Sequence, residues 1–116
     1  MEDWELDFEW LKVRHKVKDS LKKTEMPDMN AILFLVGVQE LGRVQAVFAK
    51  EEKRDLMHIA VCRLLSYDGY YEFEGRDADG WPHWKQILPF TTKGLPEQER
   101  LIKEKLILYF SEEGLN

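Results

Sequence analysis

The sequence predicts an all-α domain in which four main helices form a compact irregular array around a central apolar helix, with an aromatic loop or small β-hairpin between the third and fourth. Three observations carry this expectation. The stretch Met29–Leu41 has no charge between Asp28 and Glu40, and Ala31 to Val36 is apolar at every position, so it has no side to turn to water and has to be wrapped. Three further stretches repeat their apolar residues with a helical period. The composition, 44% hydrophobic and 34% charged with 7 Gly and 4 Pro in 116 residues, is that of one soluble globular domain over residues 1–116. A chain of this length buries roughly two-thirds of the surface its unfolded form exposes, so it needs no disulfide or metal to fold.

The first segment, Trp4 to Lys23, contains no Gly or Pro. Leu6, Trp10, Val13, Val17 and Leu21 follow one another at spacings of 4, 3, 4 and 4, a stripe about 80° wide that is expected to pack on the central helix. Trp4, Phe8 and Leu11 share a second face, rotated about 150° from the first. A helix apolar on two opposed faces at one end has two neighbours, and the second is either another part of the fold or another molecule. Charge along this helix is segregated. Glu2, Asp3, Glu5, Asp7 and Glu9 precede Lys12, Arg14, Lys16, Lys18, Lys22 and Lys23, an order that complements the helix dipole. The same order leaves Arg14, Lys18 and Lys22 as a ridge of like charge suited to an acidic partner.

Thr24 to Asp28 is a helix-start signal, with Pro tolerated in a first turn and Asp favouring that end. The central helix then runs from Met29 to Leu41 and stops at Gly42; a buried strand at Ile32–Val36 is the competing assignment, and length and flanking signals favour helix. Residues 43–50 form a connector expected to carry Val44, Val47 and Phe48 inward. The third helix opens at Lys50 behind Ala49, a poor N-cap that leaves its first residue uncertain by one or two positions. It presents Leu56, Met57, Ala60, Val61, Leu64 and Leu65 before a stop at Ser66–Gly69. Tyr70–Glu74 and His83–Ile87 flank a turn rich in Gly and Asp; as a hairpin they would require Pro82 at an edge, an aromatic-pinned loop is the alternative, and in either form the Tyr70–Leu88 insertion is expected to lie across the central helix. The last helix is expected from Pro96 to about Glu113, with Leu95, Ile102, Leu106 and Tyr109 on one face, widened by Leu101 and Leu108.

Several function classes can be weighed from residue types alone. Asp77-x-Asp79-Gly80 suggests a calcium loop, but with Gly80 at the sixth position the first ligand position is Gly75 and the twelfth is Gln86, so Asp and Gly here are better explained as turn formers. His58 and Cys62 share a helix face at i, i+4, yet His15 and His83 are isolated in sequence and no further ligand accompanies the pair, so no metal is assigned. Two residues on one regular helix also leave little room for a substrate, so no catalytic residue is named and no cofactor is expected. The single Cys62 and an acidic rather than basic and apolar start point to a cytoplasmic protein without an export signal. The Met29–Val38 run is short of the roughly 20 residues of a membrane span. A net charge of −5 weighs against nucleic acid, which leaves only the basic half of the first helix, Lys12–Lys23, as an accessory contact.

Three stretches resemble those of a family of short uncharacterised bacterial proteins: Met-Pro-Asp-Met-Asn-Ala-Ile-Leu-Phe-Leu-Val-Gly-Val-Gln-Glu-Leu-Gly (Met26 to Gly42), Asp-Leu-Met-His-Ile-Ala-Val-Cys (Asp55 to Cys62) and Gly-Arg-Asp-Ala-Asp-Gly-Trp-Pro-His-Trp (Gly75 to Trp84). The resemblance extends over most of the chain. It implies a compact, mainly helical domain in a bacterial cytoplasm and brings no activity, cofactor or catalytic residue.

The leading functional expectation is a non-enzymatic protein-interaction module, self-association included, with Trp4, Phe8 and Leu11 and the aromatic loop as its contact surface. The alternative is a small-molecule-binding protein or minor enzyme with a pocket under the Trp81/Trp84 loop. Tyr71 and the two indoles would supply rings, and Arg76, Asp77, Asp79 and His83 polar contacts.

Overall fold

A computed structural model describes residues 2–43 and 47–114. Among the described residues the chain is mostly helical, with four α-helices and one small antiparallel sheet of two strands. In chain order these are α1 (Asp3–Ser20), α2 (Met29–Leu41), α3 (Lys50–Leu65), β1 (Tyr71–Arg76), β2 (Pro82–Gln86) and α4 (Leu95–Glu112). They divide into two compact units, residues 1–32 with 91–116 and residues 33–90, so that α2 begins in one and continues into the other. Among the described residues, no helix is long and apolar enough to cross a membrane.

The first unit is built on α1 and α4. Leu6, Trp10, Val13 and Val17 of α1 are buried, as their spacing predicts, together with Ile102, Leu106, Tyr109 and Phe110 of α4. Asp3 pairs with Arg100, while Val13 and Lys16 border the same groove as Ile107 and Phe110, so the two helices run in the same direction. Two predicted core residues are corrected: Leu21 is exposed and lies just past the helix, and Leu95, 65% exposed, sits in the first turn of α4. Phe110 takes a buried place that the four-residue spacing did not assign to it. Helix α1 stops at Ser20 rather than Lys23 because the chain turns left-handed at Lys22, φ 54°. There the Lys23 N–H donates to Lys18 O and the Lys22 N–H to Asp19 O, the paired bonds of a Schellman cap with lysine where glycine is commonest. The chain then returns through Pro27, whose carbonyl accepts the Arg14 Nε–H at 2.9 Å. Asp28 starts α2, its Oδ1 accepting from the Ala31 N–H at 2.8 Å.

In the second unit the apolar run of α2 is not wrapped at every position. Leu33, Val36, Gly37 and Leu41 are buried, whereas Phe34, Leu35 and Val38 are half-buried; in the adjoining first turn Ile32 is buried and Ala31 exposed. Gly37 lies against the backbone of α3. A Cβ built on it would stand 2.2 Å from Leu56 O and 2.9 Å from Leu56 Cβ, far inside contact distance. Around this crossing Leu41, Phe48, Leu56 and Ile59 form a buried cluster, with Phe34, Val38 and Trp81 packed on it and the Phe34 and Phe48 rings edge to face at 5.7 Å. Of the connector, Phe48 is buried as expected, Val47 is 79% exposed against expectation, and Val44 lies outside the described residues. Helix α3 begins at Lys50: Ala49 has no capping side chain, and the Glu52 carboxylate accepts the Ala49 N–H at 2.8 Å instead. Its apolar surface is wider than the predicted face, because Ile59, in the cluster with Leu41 and Leu56, and Cys62, which borders the cleft with the hairpin, are buried as well.

Residues 71–86 form a hairpin rather than a loop. Tyr71 pairs with Gln86, Glu72 with Lys85 and Phe73 with Trp84; Glu74 is then an extra residue, after which Gly75 pairs with His83 and Arg76 with Pro82. Gly75 at φ 110° makes this bulge possible, and Pro82 is tolerated as the first residue of a strand in a sheet that has only edges. The hairpin packs on α3, and Arg76 ties it to the last carbonyls of α2.

Alanine at position 37 should gain about 1 kcal/mol in helix propensity at an open site. Here the rigid Leu56 carbonyl blocks it, so Gly37→Ala is expected to lower stability by about 1–3 kcal/mol, the usual cost of overpacking. Urea unfolding of the two proteins measures this, and an equally stable or more stable alanine variant would contradict the close approach.

Candidate functional site

The hairpin and α3 enclose a cleft of about 380 Å³ in the second unit. On α3, Asp55, His58 and Cys62 follow at i, i+3 and i+7 and so share one face. Across from them the hairpin contributes Asp77, Trp81, His83 and Trp84, with Ile59 and Pro82 completing an apolar lining. His83, isolated in sequence, is thus brought to the same cleft as the His58–Cys62 pair.

The turn itself is organised by one carboxylate. Asp77 Oδ1 accepts the N–H groups of Asp79, at 2.9 Å, and of Trp81, at 3.0 Å. The Gly80 N–H donates to Asp77 O, and Gly80 adopts φ 87°. The expectation that Asp and Gly act here as turn formers describes these contacts. Asp77 Oδ2 lies 2.9 Å from His83 Nε2, so the same side chain also orients an imidazole at the cleft. The His83 hydrogen bond, then the Trp81 and Asp79 amides, hold the Asp77 carboxyl below its ordinary value.

Two arginines fasten the turn. Arg76 donates to Glu40 O at 2.7 Å, to Leu41 O at 3.0 Å and to Gly80 O at 2.8 Å, joining the last carbonyls of α2 to the hairpin. Arg43 donates to Asp79 O at 3.0 Å and lies over the Trp81 ring at 5.9 Å. Of the seven residues expected to contact a ligand, the cleft is therefore lined by Asp77, Trp81, His83 and Trp84. Arg76 is engaged with backbone carbonyls, and Asp79 contributes its carbonyl to Arg43. Tyr71 stands beside His58, edge to face at 6.4 Å, behind the lining. The residue that sequence reasoning missed is Asp55; its i, i+3 relation to His58 was the available signal.

What the cleft can do chemically is limited by its sulfur. Cys62 is buried, and loss of solvation pushes its thiol up to about 11, so at neutral pH it is a thiol and not a nucleophile. His58 Nε2, 3.5 Å from the sulfur, fits an acceptor of the S–H proton. Burial, and secondarily the neighbouring Cys62, raise the Tyr71 phenol as well. Among the described residues, no group of three or more His, Cys, Asp and Glu side chains has the arrangement to hold a metal ion. The Trp84 indole Nε1 is buried and meets no hydrogen-bond acceptor among the described residues.

The other expected contact surface lies on α1. Trp4 is 70%, Phe8 57% and Leu11 44% exposed, on the side opposite the buried Leu6, Trp10, Val13 and Val17. Lys12 Nζ stands 5.4 Å from the Phe8 ring centroid and 3.4 Å from the Glu9 carboxylate. The ridge proposed for an acidic partner is broken at Arg14, whose guanidinium is turned to Pro27.

A carboxyl held below its ordinary value stabilises the folded state above that value and ceases to do so as pH falls through the lowered one. The Asp77 turn should therefore persist through mildly acidic conditions and loosen only below the free-aspartate value of 3.8. Carbon-detected titration of the Asp77 carboxyl, together with acid unfolding of Asp77→Asn, tests this; a midpoint at or above 3.8 would contradict the His83 and backbone bonds as its cause. No protein-family model, curated protein or solved structure matches the chain.

Proposed function

We propose that this chain is a non-enzymatic protein-interaction module whose contact surface is the outer face of α1. The observation that carries the reading is the exposure of Trp4, Phe8 and Leu11 on a helix already anchored by its opposite face. Three large apolar side chains at i, i+4 and i+7 form one contiguous patch, and aromatic anchors of this kind dominate the energy of protein interfaces. Exposed single hydrophobics are ordinary on any protein; an aligned set on one helix is what a partner helix or groove engages. The central position of α2 in the fold, supported by the complete burial of Ile32 and Val36, belongs to the same reading, as does a bacterial cytoplasmic setting, which suits a lone buried free thiol.

A photo-reactive benzophenone amino acid in place of Phe8, activated in living cells, is expected to give a discrete adduct of fixed mass. The same group at exposed Glu112 should give none. Absence of any adduct from position 8 would remove the reading.

A second reading is favoured by the meeting of Asp55, His58, Asp77 and His83 with two indoles around one cleft: binding of a small molecule, or a minor enzyme acting on one. Here a thermal-shift screen should find compounds that raise the unfolding temperature of wild type and lose that effect in folded Trp84→Ala. A screen in which every hit survives that substitution would discard the cleft.

A further inference from the structure

We infer that the cleft between α3 and the hairpin takes a small organic amine, with its ammonium against Asp55 and Asp77 and its ring or apolar body against Trp81 and Trp84; this rests on the reading of the cleft as a small-molecule site. The charged groups on the walls choose the sign of the ligand. Among the described residues, two carboxylates border the space, Asp55 on α3 and Asp77 on the hairpin, and no lysine or arginine does. The arginines that fasten the turn are directed elsewhere. Arg76 donates to the carbonyls of Glu40, Leu41 and Gly80, and Arg43 to that of Asp79. An anionic ligand therefore meets like charge with no counter-ion, whereas a cation meets two carboxylates.

Neither carboxylate is saturated. The Asp55 side chain has no hydrogen-bond or ion-pair partner among the described residues. Asp77 accepts from the Asp79 and Trp81 amides and shares a hydrogen bond with His83, which fills three of the roughly four acceptor positions of a carboxylate. Because His83 already shares Asp77, Asp55 is the stronger attachment for an ammonium. The rest of the wall suits the body of an amine. Ile59 and Pro82 are buried and apolar, and the two indoles add ring surface that attracts both aromatic rings and cations. The Arg43 guanidinium over Trp81 shows that this indole already accepts a cation. The volume of about 380 Å³ lies at the low end of the roughly 300–1,000 Å³ usual for small-molecule pockets, which limits the ligand to one ring or a short chain.

Three compounds of similar shape test the inference at neutral pH: phenethylamine, phenylpropanol and phenylpropanoate, one cationic, one neutral and one anionic. Each is titrated into the full chain and followed through its amide and indole N–H resonances. Phenethylamine should bind with a Kd on the order of 0.1–5 mM, the range open to a ligand of so few atoms, and shift the signals of Asp55, His58, Trp81 and Trp84. Phenylpropanol should bind at least about threefold more weakly, and phenylpropanoate more weakly still. Asp55→Asn should weaken phenethylamine about 3–10-fold and leave phenylpropanol unchanged. Glu51→Gln removes the same charge from an exposed position on α3 outside the cleft and should leave phenethylamine unchanged. Circular dichroism confirms that both variants fold. An alcohol or acid that binds as tightly as the amine, an Asp55→Asn protein with full affinity, a Glu51→Gln loss as large as that of Asp55→Asn, shifts confined to other surfaces, or no binding by phenethylamine would each overturn the inference. A neutral or anionic compound whose binding depends on Trp84, alongside an inert phenethylamine, would overturn the amine while leaving the cleft as a small-molecule site. Where no compound of any charge depends on Trp84, both readings fall together.

Discussion

The second unit depends on how closely α2 approaches α3 at Gly37. A side chain as small as a methyl group would collide with the Leu56 carbonyl, so the crossing exists only because position 37 has no Cβ. Glycine in a helix interior costs about 1 kcal/mol relative to alanine. That local cost is offset by what the close approach allows: Leu41, Phe48, Leu56 and Ile59 close over one another, with Phe34, Val38 and Trp81 against them. The wide burial of α3 follows in part from this crossing, because one side of the helix is turned to α2 and the other is left for the strands.

The hairpin is then held by polar rather than apolar means. Its strands carry exposed residues at most positions, and an isolated pair of strands is marginal in water. Two features compensate. Asp77 satisfies the amides of its own turn, and Arg76 bonds carbonyls at the end of α2, where the helix leaves acceptors unpaired and partly negative. The cleft is a consequence of this docking. Hairpin and helix are fastened at the turn and along α3, and the space between them is lined by whichever residues face inward, which include Asp55, His58, Asp77 and His83.

The candidate surfaces differ in how much the sequence disclosed. On α1 the patch was legible, since Trp4, Phe8 and Leu11 and their opposed buried stripe follow from one period within one uninterrupted helix. The cleft was legible only in halves. His58 and Cys62 could be paired by helical spacing, and Asp77 and His83 by their place around a turn. That the two pairs meet depends on the strands folding back onto α3, and no periodicity encodes it. Arg76 shows the limit from the other side: beside aromatics and carboxylates it has the composition of a ligand contact, yet its partners are main-chain carbonyls of a helix some 35 residues earlier. Backbone acceptors have no letter in a sequence.

By itself, the sequence determined the four helices, the start of α2 at Asp28 and its end at Gly42, the buried stripe of α1 and the turn chemistry at Asp77–Gly80. Each rests on interactions within a few residues, where helical period, capping and the conformational freedom of glycine decide the outcome. Tertiary structure alone decided which apolar residues are covered: Leu21, Val47 and Leu95 are exposed, while Ile59, Cys62 and Phe110 are buried. It decided too that the aromatic stretch became a bulged hairpin and that its strands pack on α3. The physical reason is that burial belongs to a pair of surfaces. One helix can announce that it has an apolar face, but what covers that face, and how closely, is settled by the other partner, here by a glycine that lets two backbones touch and an arginine that reaches across to the end of a helix.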